Sequence, residues 1–376
     1  MPDVILRDQD ALSFLSSLTP NSAHAIVTDP PYGLSFMDSE WDAQIPSVEV
    51  WAEALQTLKP GGYLLAFGGT RTFHRQVCRI EDAGFEVLDH ITWLYGQGYP
   101  KSHNQHGRWL GWGTALKPGW EPITVARRPL AGTVRENLLG HGCGALHIDA
   151  ARIPVSDAQY SANCSRDRGH SGTRETGSVT DIRTGGGSAS DIGRWPANVA
   201  LDETAAAMLD EQTGVLKSGA NPRRRASAKH KNTSRPFEGQ KECSSLRLED
   251  AGGASRFFYC AKASRRERDL GCEQLPERLL KWGHGGMGGF QSEGTKESAK
   301  NPWPTVKPIA LMRWLIRLVA PPGALIVDPF LGSGTTGVAA VLEGVNFAGC
   351  DSNPIAMEIA RERIGWARHQ RNGVPA

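Results

Sequence analysis

The chain has 376 residues, enough for one large domain carrying an insertion or for two to three modules. Lys and Arg total 42 against 40 Asp and Glu, so with a net charge of +2 any basic surface has to be local. Hydrophobic residues at 39%, with 43 Gly and 23 Pro, are a globular composition with long loops and exclude global disorder. No apolar run approaches the ~18 residues of a membrane span, and Met1-Pro2-Asp3-Val4 lacks the basic-then-apolar opening of a secretory signal, so a cytoplasmic protein is expected. The seven cysteines are an odd, scattered set without a C-x-x-C pair, which predicts reduced thiols. His141-x-Cys143 followed by His147 has no second pair at ligand spacing, and no metal is expected.

In chain order, Val4 to Leu6 is a short apolar run, Asp10 to Leu18 has helical spacing, and Ala23 to Thr28 reads as a strand entering Asp29-Pro30-Pro31-Tyr32. Val48 to Leu58 is helix-like and leads through Lys59-Pro60-Gly61-Gly62 into a strand at Tyr63 to Phe67. A helix at Arg71 to Ala83, a strand at Phe85 to Leu94 and a partner strand at Pro122 to Ala126 continue the strand, helix, strand rhythm of a parallel sheet.

The middle breaks that rhythm. Between Ser161 and Ser190, sixteen of thirty residues are Ser, Gly or Thr, which predicts a mobile loop. Lys217 to Arg247 holds nine Lys/Arg against two Glu, including Arg223-Arg224-Arg225, and is the concentrated basic surface of the chain. A helix is expected at Asp202 to Gln212 and a strand at Arg256 to Cys260, whose Phe257-Phe258-Tyr259 reads as core of an inserted region. Order returns with a helix from Pro308 whose apolar Ile309, Met312, Leu315, Ile316 and Val319 follow a 3.6-residue period. Then come a strand at Ala324 to Val327, a helix at Gly332 to Leu342, a strand at Asn346 to Cys350 ending in Asp351, and a helix at Pro354 to Ala367.

Asp328-Pro329-Phe330-Leu331-Gly332-Ser333-Gly334-Thr335-Thr336-Gly337 joins a strand to a helix, where glycines admit a close ligand and the helix N-terminus offers free N–H groups. Gly332, Gly334 and Gly337 satisfy G-x-G-x-x-G, and Asp351 stands 19 residues after Gly332, so a nicotinamide dinucleotide is one guest to weigh. An acid at the strand end, Asp328, would repel a pyrophosphate and favours a cationic ligand, S-adenosylmethionine. Only 25 residues follow Asp351, too few to finish a doubly wound sheet, so the remaining strands have to come from the N-terminal third and the fold is predicted to be circularly permuted.

Asp29-Pro30-Pro31-Tyr32-Gly33 follows the apolar strand at the carboxyl edge of the sheet, where open parallel sheets bind ligands. Two prolines stiffen the loop and free its carbonyls from strand pairing. A rigid turn with a solvated acid would give the same residues. Beside an independent cofactor loop, four specified residues at the right strand end favour catalysis.

On these two motifs the chain resembles the β-class DNA amino-methyltransferases, with the Asp-Pro-Pro-Tyr motif first and the glycine motif near the C-terminus. The resemblance covers residues 1 to about 130 and 300 to 376, and the middle by position alone. It implies an α/β, circularly permuted Rossmann-like methyltransferase fold: a catalytic half at 1–130, an inserted target-recognition region at 131–300, and a cofactor-binding half at 301–376. The implied donor is S-adenosylmethionine and the implied substrate double-stranded DNA, with homodimerisation a family expectation; no partner restriction nuclease is legible.

Carried over residue by residue, Asp29 and the Pro30 carbonyl would accept hydrogen bonds from the exocyclic amine of the target base, with Pro31 rigidifying the turn and Tyr32 stacking on the extruded base. Asp328, Pro329, Phe330, Gly332, Ser333, Gly334 and Thr335 would line the cofactor, Asp351 would hold its ribose and Asp10 would lie near its adenine. Pro304-Thr305-Val306-Lys307-Pro308 resembles the family's other cofactor-side motif, with Trp303 where the family has histidine, and brings Thr305 and Lys307 to the cofactor. Arg223, Arg224 and Arg225 would hold DNA phosphates.

The exocyclic amine is a weak nucleophile because its lone pair is delocalised; two acceptors would localise it for in-line attack after base flipping. An acid at the first motif position favours adenine N6 over cytosine N4. Methylation at cytosine carbon 5 would need a cysteine, commonly after a proline, and no cysteine here follows one. A related Asn-Pro-Pro-Tyr arrangement serves protein glutamine methylation, which Asp29 and the basic insert disfavour. A dinucleotide oxidoreductase and an inactive DNA-binding protein are the readings from other classes; the first leaves Asp29 to Tyr32 unexplained, and the second would bind the cofactor without transferring methyl.

Overall fold

In the computed structural model, residues 2–35, 40–98, 102–153, 193–218, 250–261, 265–279, 298–303 and 305–373 are described. The strands are β1 (Val4–Asp8), β2 (Ala23–Thr28), β3 (Leu58–Phe67), β4 (Glu86–Leu94), β5 (Trp120–Arg127), β6 (Val199–Asp202), β7 (Leu216–Ser218), β8 (Asp250–Gly252), β9 (Tyr259–Ala261), β10 (Arg278–Leu279), β11 (Ser298–Ala299), β12 (Leu325–Asp328) and β13 (Asn346–Asp351). The helices of a full turn or more are α1 (Ala11–Ser17), α2 (Val48–Thr57), α3 (Phe73–Asp82), α4 (Val134–His141), α5 (Glu203–Thr213), α6 (Ile309–Val319), α7 (Thr335–Glu343) and α8 (Pro354–Arg371).

Nine strands form one sheet in the order β1-β13-β12-β2-β3-β5-β4-β6-β9. The C-terminal pair β12 and β13 lies between β1 and β2, all parallel, so the two ends of the chain build one sheet and the permutation expected from sequence is present. Chain direction reverses out of β12 and β2 toward opposite edges, which makes their adjacency the topological switch point where such sheets bind ligands.

The expected all-parallel rhythm fails at one place. β5 is antiparallel to both β3 and β4, because a loop rather than a crossover helix joins β4 to β5. β3 also begins earlier than expected, at Leu58, and a register shift between Ala23 and Ala25 absorbs its Lys59-Pro60-Gly61-Gly62 start.

The core is the packing of α1, α2 and α3 side chains on the sheet. Phe14, Leu15, Trp51, Leu58 and Ile80 are buried with Ile26, Leu64, Val327 and Ala348. On α6, eight of eleven residues are buried, including Trp314, whose indole N–H donates to the Ala151 carbonyl. Arg313 and Arg317, off that stripe, both reach Glu343 of α7.

The chain divides into two compact units. The first is Met1–Ala151, Asn198–Ala206 and Cys260–Ala376, and the second Arg152–Ala197 and Ala207–Tyr259. These boundaries differ from the expected 130 and 301: α4 packs on β3 through Asn137, which donates to the Pro60 carbonyl, and β6 extends the main sheet. Within the second unit, β7 pairs antiparallel with β8, and the Asp210 carboxylate accepts from the Ser255 N–H and hydroxyl. The expected strand at Arg256 is a 3-10 turn over Ala254–Phe257, and β9 begins only at Tyr259. Phe257 is 42% exposed, with the Arg194 and Arg256 guanidiniums 5.3 and 4.3 Å from its ring centre, and neither Phe258 nor Tyr259 is fully buried. Phe257 is therefore a cation-flanked surface ring and not core, while Phe258 and Tyr259 are half-buried. The Ser161–Ser190 loop and Arg223, Arg224 and Arg225 lie outside the described residues, as does Pro304. Among the described residues no helix is long and apolar enough to cross a membrane.

Candidate active site

At the switch point the two strand ends are tied directly. Thr28, the last residue of β2, donates its hydroxyl to Oδ1 of Asp328, the last residue of β12, at 2.6 Å. The same oxygen accepts the Phe330 N–H at 3.1 Å. Burial pushes the Asp328 carboxyl up to about 6, against these hydrogen bonds.

Above this tie opens a cavity of about 480 Å³. Its lining draws Asp10 from the start of α1, Asp29 and Pro31 from the β2 loop, Thr305 and Lys307 from before α6, Asp328 to Ser333 and Thr335 from the glycine loop, and Asp351 from the end of β13. Most of the predicted site residues thus share one space. Pro30, Tyr32 and Gly334 are not part of the lining.

The glycine loop is built by its partners. Asp351 accepts the Gly332 N–H through Oδ2 and the Asn353 N–H through Oδ1, both at 2.8 Å, so its carboxylate already braces the loop it was expected to complement. Gly332 has φ +52°, and a Cβ there would stand 2.9 Å from Nε1 of Trp303. Trp303, the residue in the family's histidine position, stacks on Trp41 at 5.9 Å and with it forms one wall of the cavity. Gly334 has φ +84°, and a Cβ would meet Cα and Cβ of Ala360 at 2.8 Å. Gly334 thus packs closely on α8. Buried Arg363 of α8 donates to the Ser333 carbonyl and hydroxyl and to the Thr335 hydroxyl, a support the sequence pattern did not reveal.

Asp10 is the N-cap of α1, accepting the Ser13 N–H at 3.0 Å, and hydrogen bonds from the Ser13 side chain and backbone hold its carboxyl below the usual range.

Around Asp29 the side chains form a closed polar group. Oδ1 accepts the Tyr32 hydroxyl at 2.7 Å, and Oδ2 lies 3.0 Å from the Lys307 ammonium. Lys307 also reaches Oε2 of Glu121 at 2.9 Å and the Tyr32 oxygen at 3.1 Å. Burial raises the Asp29 carboxyl, and the Lys307 ammonium pulls it back. For Lys307 itself, burial is outweighed by the carboxylates of Asp29 and Glu121, which hold the ammonium above the ordinary lysine range. The tyrosine is raised in turn by burial and by the same two carboxylates, so it stays a hydroxyl.

Lys307 lines the cavity while its ammonium is shared between the Asp29 and Glu121 carboxylates. Tyr32 is anchored through its hydroxyl, with Lys307 Nζ 5.5 Å from its ring centre. Glu121 and Asp42 were missed altogether; buried Asp42 accepts the N–H groups of Tyr32, Gly33 and Leu34 and fixes the turn. The one available signal for Glu121 was its isolation, as the first acid after 31 residues, His90 to Trp120, without one.

The sequence matches the DNA methylase family of N6/N4 type over residues 23–174 and 217–362. The chain belongs to this family. Among relatives of the methylase, the type II methyltransferase M.HindIII of Haemophilus influenzae is 25% identical over 196 residues, 37% of this chain and 63% of the relative. The DNA adenine methyltransferase YhdJ of Escherichia coli is 38% identical over 66 residues, 18% of this chain and 22% of YhdJ. The chain thus spans less than two thirds of the length of each. Among solved structures, M1.HpyAVI is 15% identical, covering 96% of this chain and 98% of that one with a TM-score of 0.42. The PvuII cytosine-N4-specific DNA methyltransferase is 12% identical, covering 99% and 94%, with a TM-score of 0.47.

The methylase has the Rossmann-like methyltransferase sheet, entered by the chain at a permuted point. Its cavity fits S-adenosylmethionine, the cofactor of this fold. In the lining, Asp328 would supply a carboxylate to a cationic ligand and Asp351 one to ribose hydroxyls, Gly332 would leave backbone within reach, and the Trp41–Trp303 stack offers an apolar wall. Among the described residues no three His, Cys, Asp or Glu side chains are placed to hold a metal ion.

Proposed function

We propose that this methylase transfers the methyl group of S-adenosylmethionine to N6 of adenine in double-stranded DNA, acting on a base turned out of the helix. The observation that carries this reading is the position of Asp29: it lines the cavity, with its Oδ2 3.0 Å from the Lys307 ammonium, which favours the ionised, acceptor form against burial. When bound, S-adenosylmethionine supplies an electrophilic methyl on sulfur.

Each carboxylate oxygen has two acceptor positions, so Asp29 can take an amine hydrogen while keeping Tyr32 and Lys307. With the Pro30 carbonyl accepting the other hydrogen, the amine nitrogen is drawn toward tetrahedral geometry and its developing positive charge is stabilised. The proton leaves afterwards through Asp29 or water. Asp42 and the Thr72 hydroxyl, which donates to the Tyr32 carbonyl at 2.6 Å, fix the turn that presents these acceptors. Removing the base from its stack costs a few kcal/mol, which contacts near the Tyr32 ring offset.

An acid at position 29 supports adenine over cytosine. The test is transfer of labelled methyl to genomic DNA by wild type and Asp29→Ala, with nucleoside analysis of the product. N6-methyl-2′-deoxyadenosine lost in the variant is the expected result. Label on the cytosine amine would keep the mechanism and overturn the base, and cofactor binding without transfer would overturn DNA as substrate.

A further inference from the structure

The loop between β4 and β5 is a folded arm. Its base is tied by the Tyr95 N–H to the Gly119 carbonyl at 3.0 Å and by Lys117 to the Gly96 carbonyl at 2.6 Å. Further out, Ser102 and Thr114 bond across, and the Gln105 N–H donates to the Trp112 carbonyl at 2.9 Å. Although the backbone is internally bonded, every residue from His103 to Pro118 is exposed. The tip shows Trp109 at 45%, Leu110 at 80%, Trp112 at 63% and Leu116 at 93% exposure. Such a concentration of large apolar groups on a structured element marks an interaction surface.

Charge selects the partner. From Gly96 to Trp120 there is no Asp or Glu, while Lys101, Arg108 and Lys117 are basic. The Arg108 guanidinium sits 5.1 Å from the Trp109 ring centre, and Trp109 packs edge-on against Trp112 at 5.2 Å. Cations beside exposed aromatic faces suit a polyanion carrying stackable bases. Position selects the place. The arm returns to the sheet at Trp120, one residue before the Glu121 that holds Lys307 and Tyr32.

The geometry points to the β4–β5 arm as a duplex-DNA contact beside the target base, with Trp109, Leu110 and Trp112 against the bases and Arg108 and Lys117 on phosphates. This rests on the reading of the protein as a methylase of DNA. It adds a contact within the sheet-bearing unit, separate from the insert to which recognition was assigned from sequence.

The test compares wild type with Trp109→Ala/Trp112→Ala and with Trp109→Phe/Trp112→Phe. Affinity is measured for a fluorescent duplex and for S-adenosylmethionine, together with the mass in solution. The alanine pair is expected to weaken duplex binding about tenfold or more, as loss of base stacking does. Cofactor affinity stays unchanged, and the phenylalanine pair retains duplex binding. Equal duplex affinity in wild type and the alanine pair overturns the proposal, as does a wild-type dimer that the alanine pair cannot form, because the arm then covers a second copy. A wild type that neither binds nor methylates DNA overturns the DNA reading itself, whereas wild-type activity matched by the alanine pair overturns the arm alone.

Discussion

Lys307 and Asp29, drawn from opposite ends of the chain, meet at 3.0 Å between Nζ and Oδ2. The contact joins the segment before α6 to the turn after β2, and Glu121 completes it at 2.9 Å from the same ammonium. One cation thus serves two carboxylates, all three side chains being less than a quarter exposed.

Removing that cation leaves two largely buried carboxylates facing each other. Lys307→Met is expected to lose about 3 kcal/mol of stability in urea unfolding at pH 8. Without the ammonium the Asp29 carboxyl, already raised by burial, titrates higher in the folded state, so folding favours its protonated form and the loss shrinks as the pH is lowered toward 5. A loss of equal size at both pH values would sink this account of the cluster.

Asp328 gives the cofactor site its own pH dependence. Its folded carboxyl is pushed up to about 6 from 3.8, so the folded protein binds the proton more tightly than the unfolded chain. The sign is that this group's contribution favours folding below about 4 and is lost as the pH rises through about 6. Binding a cationic ligand needs the ionised form, so affinity for S-adenosylmethionine runs the opposite way and falls as the pH drops below 6. Calorimetric titration between pH 5 and 8 should show that fall in wild type and a flat, weaker profile in Asp328→Asn.

Gly334 tests how far the loop depends on close packing. An alanine there takes a left-handed backbone at φ +84° and presses on the α8 backbone at Ala360. Gly334→Ala is expected to cost at least about 2 kcal/mol and to weaken cofactor binding by displacing Ser333 and Thr335 from Arg363. Unchanged thermal stability would contradict the packing role.

The two roles of Asp10 separate by substitution. Asp10→Ala removes the helix cap and should destabilise the protein by about 1 kcal/mol. Asp10→Ser keeps a capping oxygen but removes the charge from the cavity. If the serine variant restores stability while cofactor affinity stays reduced, the carboxylate acts on the cofactor; full recovery of both would leave capping as its whole contribution.

Local pattern made much of this legible. Ala23–Thr28 is a strand with the expected ends because its apolar run is cut off by a Pro-Pro turn, and the stripe of α6 is buried as its period requires. The glycine helix starts at Thr335 rather than Gly332, since Gly332 and Gly334 hold left-handed conformations that no α-helix continues. What escaped the sequence reading was non-local. Glu121 meets Tyr32 across 89 residues and Lys307 meets it across 275, and no periodicity encodes such a meeting. The antiparallel β5 escaped for a related reason: its direction is set by the long arm before it, whereas its composition reads like that of its neighbours.

The interleaved strand order also sets a timetable for synthesis. β2 pairs on one side with β3, close in sequence, and on the other with β12, some three hundred residues later. Until residues 325–351 leave the ribosome, β1 lacks its partner β13 and β2 lacks its partner β12, so the nascent strands expose unpaired backbone while the intervening residues are made. Assembly of the sheet therefore needs closure of very distant contacts, the kind of topology that slows folding.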